Sequence, residues 1–133
     1  MKKLAFINLK GGTGKTVSAA NMAHILATVH HKKVLLVDGD KQGSVSQYFQ
    51  VYGEHDGTAA LLLADALDAE SVERVIYQTG YSGLDIITSN LELYAADRAL
   101  YDRQDADTAR VLFSALDHVR NDYDFCIIDN GPS

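Results

Sequence analysis

Seven consecutive residues, Lys10-Gly11-Gly12-Thr13-Gly14-Lys15-Thr16, have the composition of a cradle for a polyanion. Glycines let backbone N–H groups approach phosphate oxygens and accept the unusual dihedrals of a tight turn. Lys15 is a point charge suited to the β- and γ-phosphates of a nucleotide, and the Thr16 hydroxyl is a natural Mg2+ ligand. Gly11 to Val17 together form the expected binding segment, running from the turn into the first residues of a helix. The common pattern Gly-x-x-x-x-Gly-Lys-Ser/Thr is not met literally, because Leu9 stands where its first glycine would fall. Lys10 lies beside it, and taken alone it reads equally as a solvated surface lysine.

Three carboxylates are placed to work with such a cradle. Asp38 and Asp40 follow the apolar run Val34-Leu35-Leu36-Val37, and Asp129 follows Phe125-Cys126-Ile127-Ile128. In open α/β sheets, ligands bind beyond the carboxyl ends of the strands. Two acids at i and i+2 beside a triphosphate and Mg2+ can divide labour, one ordering metal-bound water and the other orienting the attacking water. A bare Asp-x-Asp is more often an acidic turn; its place at a strand end after a glycine loop favours chemistry. Asp129 has the position of a carboxylate that contacts Mg2+ through water.

The elements that must carry these residues alternate in type. Leu4 to Leu9 reads as a short buried strand ending at the glycines. From Lys15, apolar residues at Ala19, Met22, Ala23, Leu26 and Val29 mark one face of a helix, which His30-His31 would end. Val34 to Val37 is a continuous run of the kind found in a parallel strand covered on both faces. Helices are predicted over Ser44–Phe49, Thr58–Leu67, Glu70–Gln78 and Leu91–Tyr101, with a third strand at Leu84–Thr88. Asp107 is placed to cap a helix whose apolar face is Val111, Leu112, Ala115, Leu116 and Val119, and a fourth strand runs from Phe125 to Ile128. The pattern predicts an α/β fold of P-loop NTPase type, a mostly parallel sheet with helices on both faces.

Bulk composition narrows the function. A chain of 133 residues fits one domain, and a net charge of −6 with scattered basic residues disfavours this stretch as a nucleic-acid-binding surface. The single cysteine, Cys126, excludes an intrachain disulfide or a cysteine-built metal centre within one chain; in its apolar run it reads as an inert buried thiol. No stretch approaches the roughly 20 apolar residues of a membrane helix, and the start has no export signal, which predicts a cytoplasmic protein.

On the two-lysine loop and the strand-end acids, the sequence resembles the ParA/MinD-type ATPases with deviant Walker A motifs. The resemblance extends over residues 1–133 and covers about the first half of a usual member, so it implies the N-terminal part of a single nucleotide-binding domain, truncated after the Walker B strand. It implies ATP and Mg2+ as cofactors. By resemblance, Lys10 reaches across a homodimer at the nucleotide face to the partner's ATP, Lys15 serves the bound phosphates, Asp40 positions the hydrolytic water, and Thr16, Asp38 and Asp129 belong to the Mg2+ shell. Lys41 replaces a proline common in the family, and Asn130-Gly131-Pro132 keeps only the second of two usual prolines. The implied function is an ATP-driven dimerisation switch for plasmid or chromosome partitioning, with a ParB-like stimulating protein and non-specific DNA as partners of the complete protein. Two alternatives stay open. A MinD-like membrane switch would need a C-terminal amphipathic helix, and a non-catalytic nucleotide-binding fragment would leave an open sheet side, with weak nucleotide affinity and self-association.

Overall fold

The computed structural model describes residues 1–7, 13–53, 56–64, 67–102 and 108–130. Its elements follow the order β1 (Lys2–Ile7), α1 (Thr13–Thr28), β2 (Val34–Gly39), α2 (Ser44–Tyr48), α3 (Thr58–Leu63), α4 (Ala69–Glu73), β3 (Tyr77–Gln78), β4 (Leu84–Ile87), α5 (Glu92–Asp102), α6 (Thr108–Leu116) and β5 (Phe125–Asn130). A single 3-10 turn, Asp117–Val119, extends α6. The sheet has the order β1-β5-β2-β4-β3. All pairings are parallel except that of β3 with β4.

The alternation of side chains along the strands divides the interior into two cores. Leu35, Val37, Ile87, Cys126 and Ile128 face α3, α4, α5 and α6. Val34, Leu36, Ile86 and Ile127 face α1 and α2. Val34 to Val37 are fully buried, as expected of a central parallel strand with helices on both sides.

Three expectations are corrected. The buried stripe of α1 is Ala19, Ala20, Ala23 and Ala27, whereas Met22 is 38% exposed and Val29 62%. Alanines bring the helix backbone close to the sheet, and α1 is apolar around so much of its circumference that periodicity alone could not choose the face. The helix predicted for Glu70–Gln78 ends at Glu73, because Val75-Ile76-Tyr77 is β-branched and aromatic and runs into β3, with Tyr77 opposite Ile86. The described sheet therefore has five strands rather than four. The helix predicted for Thr58–Leu67 ends at Leu63, where Ala64 turns extended.

Other expectations hold. α1 stops at Thr28, the His30 N–H donates to the Ile25 carbonyl at 3.2 Å, and His31 takes the left-handed backbone (φ 54°) that ends such a helix. Cys126 is fully buried between the helix layer and the sheet, and that burial pushes its thiol pKa up to about 12. Among the described residues, no helix is long and apolar enough to cross a membrane.

Two outcomes test this packing. Cys126 should resist iodoacetamide at about pH 8 in the native protein and react on unfolding in urea, because the thiolate is the nucleophile. Gly57→Ala should cost about 1–3 kcal/mol in urea unfolding, since the added Cβ would lie 1.8 Å from the Thr88 carbonyl oxygen.

Candidate nucleotide site at the carboxyl ends of the strands

The strand ends bring two of the predicted acids together. In the sheet register Asp129 of β5 pairs with Asp38 of β2 on one side and with Phe6 of β1 on the other. One step further, Asn130 pairs with Gly39 and with Ile7. A Cβ at Gly39 would come within 3.0 Å of the Asn130 Oδ1 and 3.2 Å of the Asp129 carbonyl, so glycine lets these strand ends close up. α1 begins at Thr13, after β1, and packs on β1, β2 and β5.

Of the glycine loop, Lys10, Gly11 and Gly12 lie outside the described residues. Thr13, Gly14, Lys15, Thr16 and Val17 form the first turn of α1, and their side chains lie outside the described set. A strand, the glycine segment and a helix thus follow one another as predicted.

Asp38 is fully buried, and protein donors occupy its carboxylate. Its Oδ2 accepts hydrogen bonds from the Ser46 amide at 2.8 Å and the Ser46 hydroxyl at 2.6 Å. Its Oδ1 accepts from the Asp40 amide at 3.1 Å. The Ser46 amide belongs to the first turn of α2, whose N–H groups have no partner within the helix, so Asp38 satisfies one of them from a distance. Burial raises the Asp38 pKa to about 7; the Ser46 and Asp40 hydrogen bonds oppose the rise, and the Asp129 charge adds to it.

Asp40 lies where β2 gives way to the turn, and is 6% exposed. Its Oδ1 accepts from the Gln42 amide at 3.0 Å and its Oδ2 from the Ser44 hydroxyl at 3.2 Å. Its carbonyl accepts from the Ser89 hydroxyl at 2.8 Å and from the Gly43 amide at 2.9 Å. Gly43 holds the turn with φ 67°, where a Cβ would strike the Tyr52 ring at 2.1 Å. Lys41, standing where proline was expected, lies over the Tyr94 ring at 5.8 Å.

Sequence reading missed Ser46, Ser89 and Thr58. The Ser89 amide donates to the Ser46 hydroxyl at 2.8 Å, and the Thr58 hydroxyl donates to the Asp38 carbonyl at 2.6 Å. Ser89 follows β4, at the same end of the sheet, and that position was the available signal. A cleft of about 560 Å3 lies elsewhere, at the amino ends of β2, β4 and β5, lined by Lys33, Glu73, Asp85, Asp122 and Tyr123 among others. There the Tyr123 hydroxyl donates to Asp85 at 2.7 Å, and burial first, then Asp85, raises the Tyr123 pKa. It lies at the opposite end from the carboxylates.

The match to known families decides the lineage of this arrangement. The AAA_31 model, an AAA domain, matches residues 1–133. The chain belongs to the AAA_31 family.

This AAA_31 chain is 38% identical over 133 residues to the virulence plasmid ParA family protein pGP5-D of Chlamydia psittaci, covering 100% of the chain and 49% of that protein. It is 36% identical over 133 residues to the chromosome-partitioning ATPase Soj of Treponema pallidum, covering 99% and 49%. Among solved structures it superposes on an ATP complex of Cyanothece McdA with a TM-score of 0.83 at 26% identity, covering 100% of the chain and 49% of McdA. It also matches the cobyrinic acid a,c-diamide synthase of Mycobacterium smegmatis, solved with an ATP analogue and magnesium, with a TM-score of 0.79 at 27% identity, covering 100% and 52%. The chain therefore spans about half the length of these relatives.

The raised Asp38 pKa makes stability depend on pH. Between the ordinary carboxylate value of 3.8 and about 7, the folded state holds a proton on Asp38 that the unfolded chain releases. Its contribution is full below that window and is lost as pH rises through it. Wild type should lose up to a few kcal/mol relative to Asp38→Asn across the window, read as urea unfolding free energies of both proteins at each pH.

Proposed function

We infer that this AAA_31 chain is the nucleotide-binding part of a ParA/Soj-type partition ATPase, a cytoplasmic switch that binds ATP with Mg2+ and dimerises through its nucleotide face. The observation that carries the reading is the register that sets Asp129 beside Asp38 next to the end of β1, from which the chain runs into the two-lysine glycine segment and α1. The names of the Chlamydia and Treponema relatives, and the ATP and magnesium bound in the matched structures, support it.

The donor set fits the ligand. In this reading the backbone N–H groups of Gly11, Gly12, Thr13, Gly14 and Val17 would serve phosphate oxygens, and Lys15 would add charge. In this reading the Thr16 hydroxyl and the Asp129 carboxylate would hold Mg2+, directly or through water. Mg2+, when bound, neutralises charge developing on the phosphate oxygens. Asp40, just past the end of β2, is the carboxylate that orients the attacking water in this reading. Lys10, just ahead of the loop, reaches the phosphates held by the partner subunit. For the complete protein, a ParB-like protein stimulates hydrolysis and non-specific DNA is the surface bound by the dimer.

Variants separate these roles. Lys15→Ala should abolish binding of a fluorescent ATP analogue, and Lys10→Ala should spare binding while removing ATP-dependent dimerisation in sedimentation velocity. Asp40→Ala should keep both yet lower turnover by at least about 100-fold. Normal hydrolysis by Asp40→Ala would remove Asp40 from the water-orienting role.

A further inference from the structure

We propose that Ser46, acting through Asp38 and Ser89, is the positioning residue that fixes Asp40, and that Asp38 serves as a strut of this device rather than in the Mg2+ shell. The proposal rests on the reading above in giving Asp40 the hydrolytic water. Ser46 is fully buried in α2, and its hydroxyl is used in both directions. It donates to Asp38 Oδ2 at 2.6 Å and accepts the Ser89 amide at 2.8 Å. Those two neighbours hold the main chain of Asp40 from opposite ends. Asp38 Oδ1 accepts the Asp40 N–H at 3.1 Å, and the Ser89 hydroxyl donates to the Asp40 carbonyl at 2.8 Å.

The result is a closed ring of hydrogen bonds, Ser46 to Asp38 to Asp40 to Ser89 and back to Ser46, made by buried residues from β2, α2 and the end of β4. A carboxylate offers about four acceptor positions, and Asp38 has given three to protein donors. That commitment suits a strut and leaves little for a metal-bound water. Asp40 differs: among the described residues its own carboxylate accepts only from near neighbours in sequence, Gln42 and Ser44. Gln42 lies in the turn and Ser44 opens α2, both within four residues of Asp40, whereas the ring behind Asp40 joins β2, α2 and the segment after β4 and holds its backbone.

Removing one hydroxyl breaks the ring at two bonds. Ser46→Ala leaves Asp38 Oδ2 with the amide alone and strips the Ser89 N–H of its partner in a buried place, while Ser46→Thr keeps the hydroxyl. Amide hydrogen exchange on the full chain should show Asp40 and Ser89 protected in wild type. In Ser46→Ala both should exchange at least tenfold faster relative to Ile127 and Ile128 of β5, with Ser46→Thr restoring protection. With MgATP, Ser46→Ala should lower kcat by on the order of 10- to 100-fold with KM and the Mg2+ dependence within twofold of wild type, again restored by threonine.

Unchanged Asp40 exchange in Ser46→Ala overturns the proposal. So does a rise in KM at constant kcat, or a shift in Mg2+ dependence matching that of Asp129→Asn, which would return Asp38 to the metal shell. Should the β5 reference amides of Ser46→Ala also lose protection, Ser89→Ala, which removes the hydroxyl on the Asp40 carbonyl alone, must accelerate Asp40 exchange, and failure to do so overturns the proposal as well. A wild-type chain that binds no ATP refutes the nucleotide reading, while the exchange comparison still decides the positioning.

Discussion

Parallel pairing of β5 with both β1 and β2 is the constraint on which the candidate site depends. β5 comes last in the chain yet lies between the first two strands, so its carboxyl end is flanked by theirs. Its register is held by the two cores. Cys126 and Ile128 belong to one face and Ile127 to the other, and a slip of one residue would exchange them and pull Asp129 away from Asp38. Gly39 completes the fit, because a Cβ there would crowd the Asn130 side chain and the Asp129 carbonyl.

Bringing two acids side by side at the dry end of a sheet has an electrostatic cost, and the structure meets it differently at each nearby acid. Asp38 is driven inward, where burial raises its pKa and the α2 amide and Ser46 hydroxyl compensate part of that cost. Asp40, just past the end of β2, is tied to Asp38 and Ser89 by its backbone, while its carboxylate is bonded locally by Gln42 and Ser44. The spacing i, i+2 therefore separates an acid bonded across elements from one whose carboxylate is bonded within its own neighbourhood. The turn from Asp40 to Gly43 and the short helix that follows are joined by hydrogen bonds to Ser89, just past the end of β4.

Burial is uneven across the fold. β2 and the middle of β5 are sealed on both faces, while β1 lies at the end of the strand order, with Leu4 exposed and the outer flank of α1 carrying Met22, Ile25 and Val29. The relatives matched along the whole chain carry about as much polypeptide again. The carboxylates lie toward the sealed part of the sheet, where the dielectric is low and hydrogen bonds hold positions firmly.

Local chemistry made much of this legible in sequence. Continuous apolar runs marked β2 and β5, glycines and an i, i+2 acid pair marked their ends, and the two-lysine loop marked the family, because each signal lies within a few adjacent residues. The buried alanine face of α1 did not emerge, since a helix apolar on most sides acquires its inward face only from the sheet it meets. β3 was hidden for a related reason: two residues, Tyr77 and Gln78, become a strand only through the β4 edge beside them. The hydrogen bonding of Asp38 was likewise out of reach. Its acid type and strand-end position were plain, but its partner Ser46 is 8 residues away and the Ser89 bonds span 43 and 49 residues. Sequence alone determined which acids stand at the strand ends; tertiary structure decided how each is held there, because burial and long-range hydrogen bonds exist only once the strands are side by side.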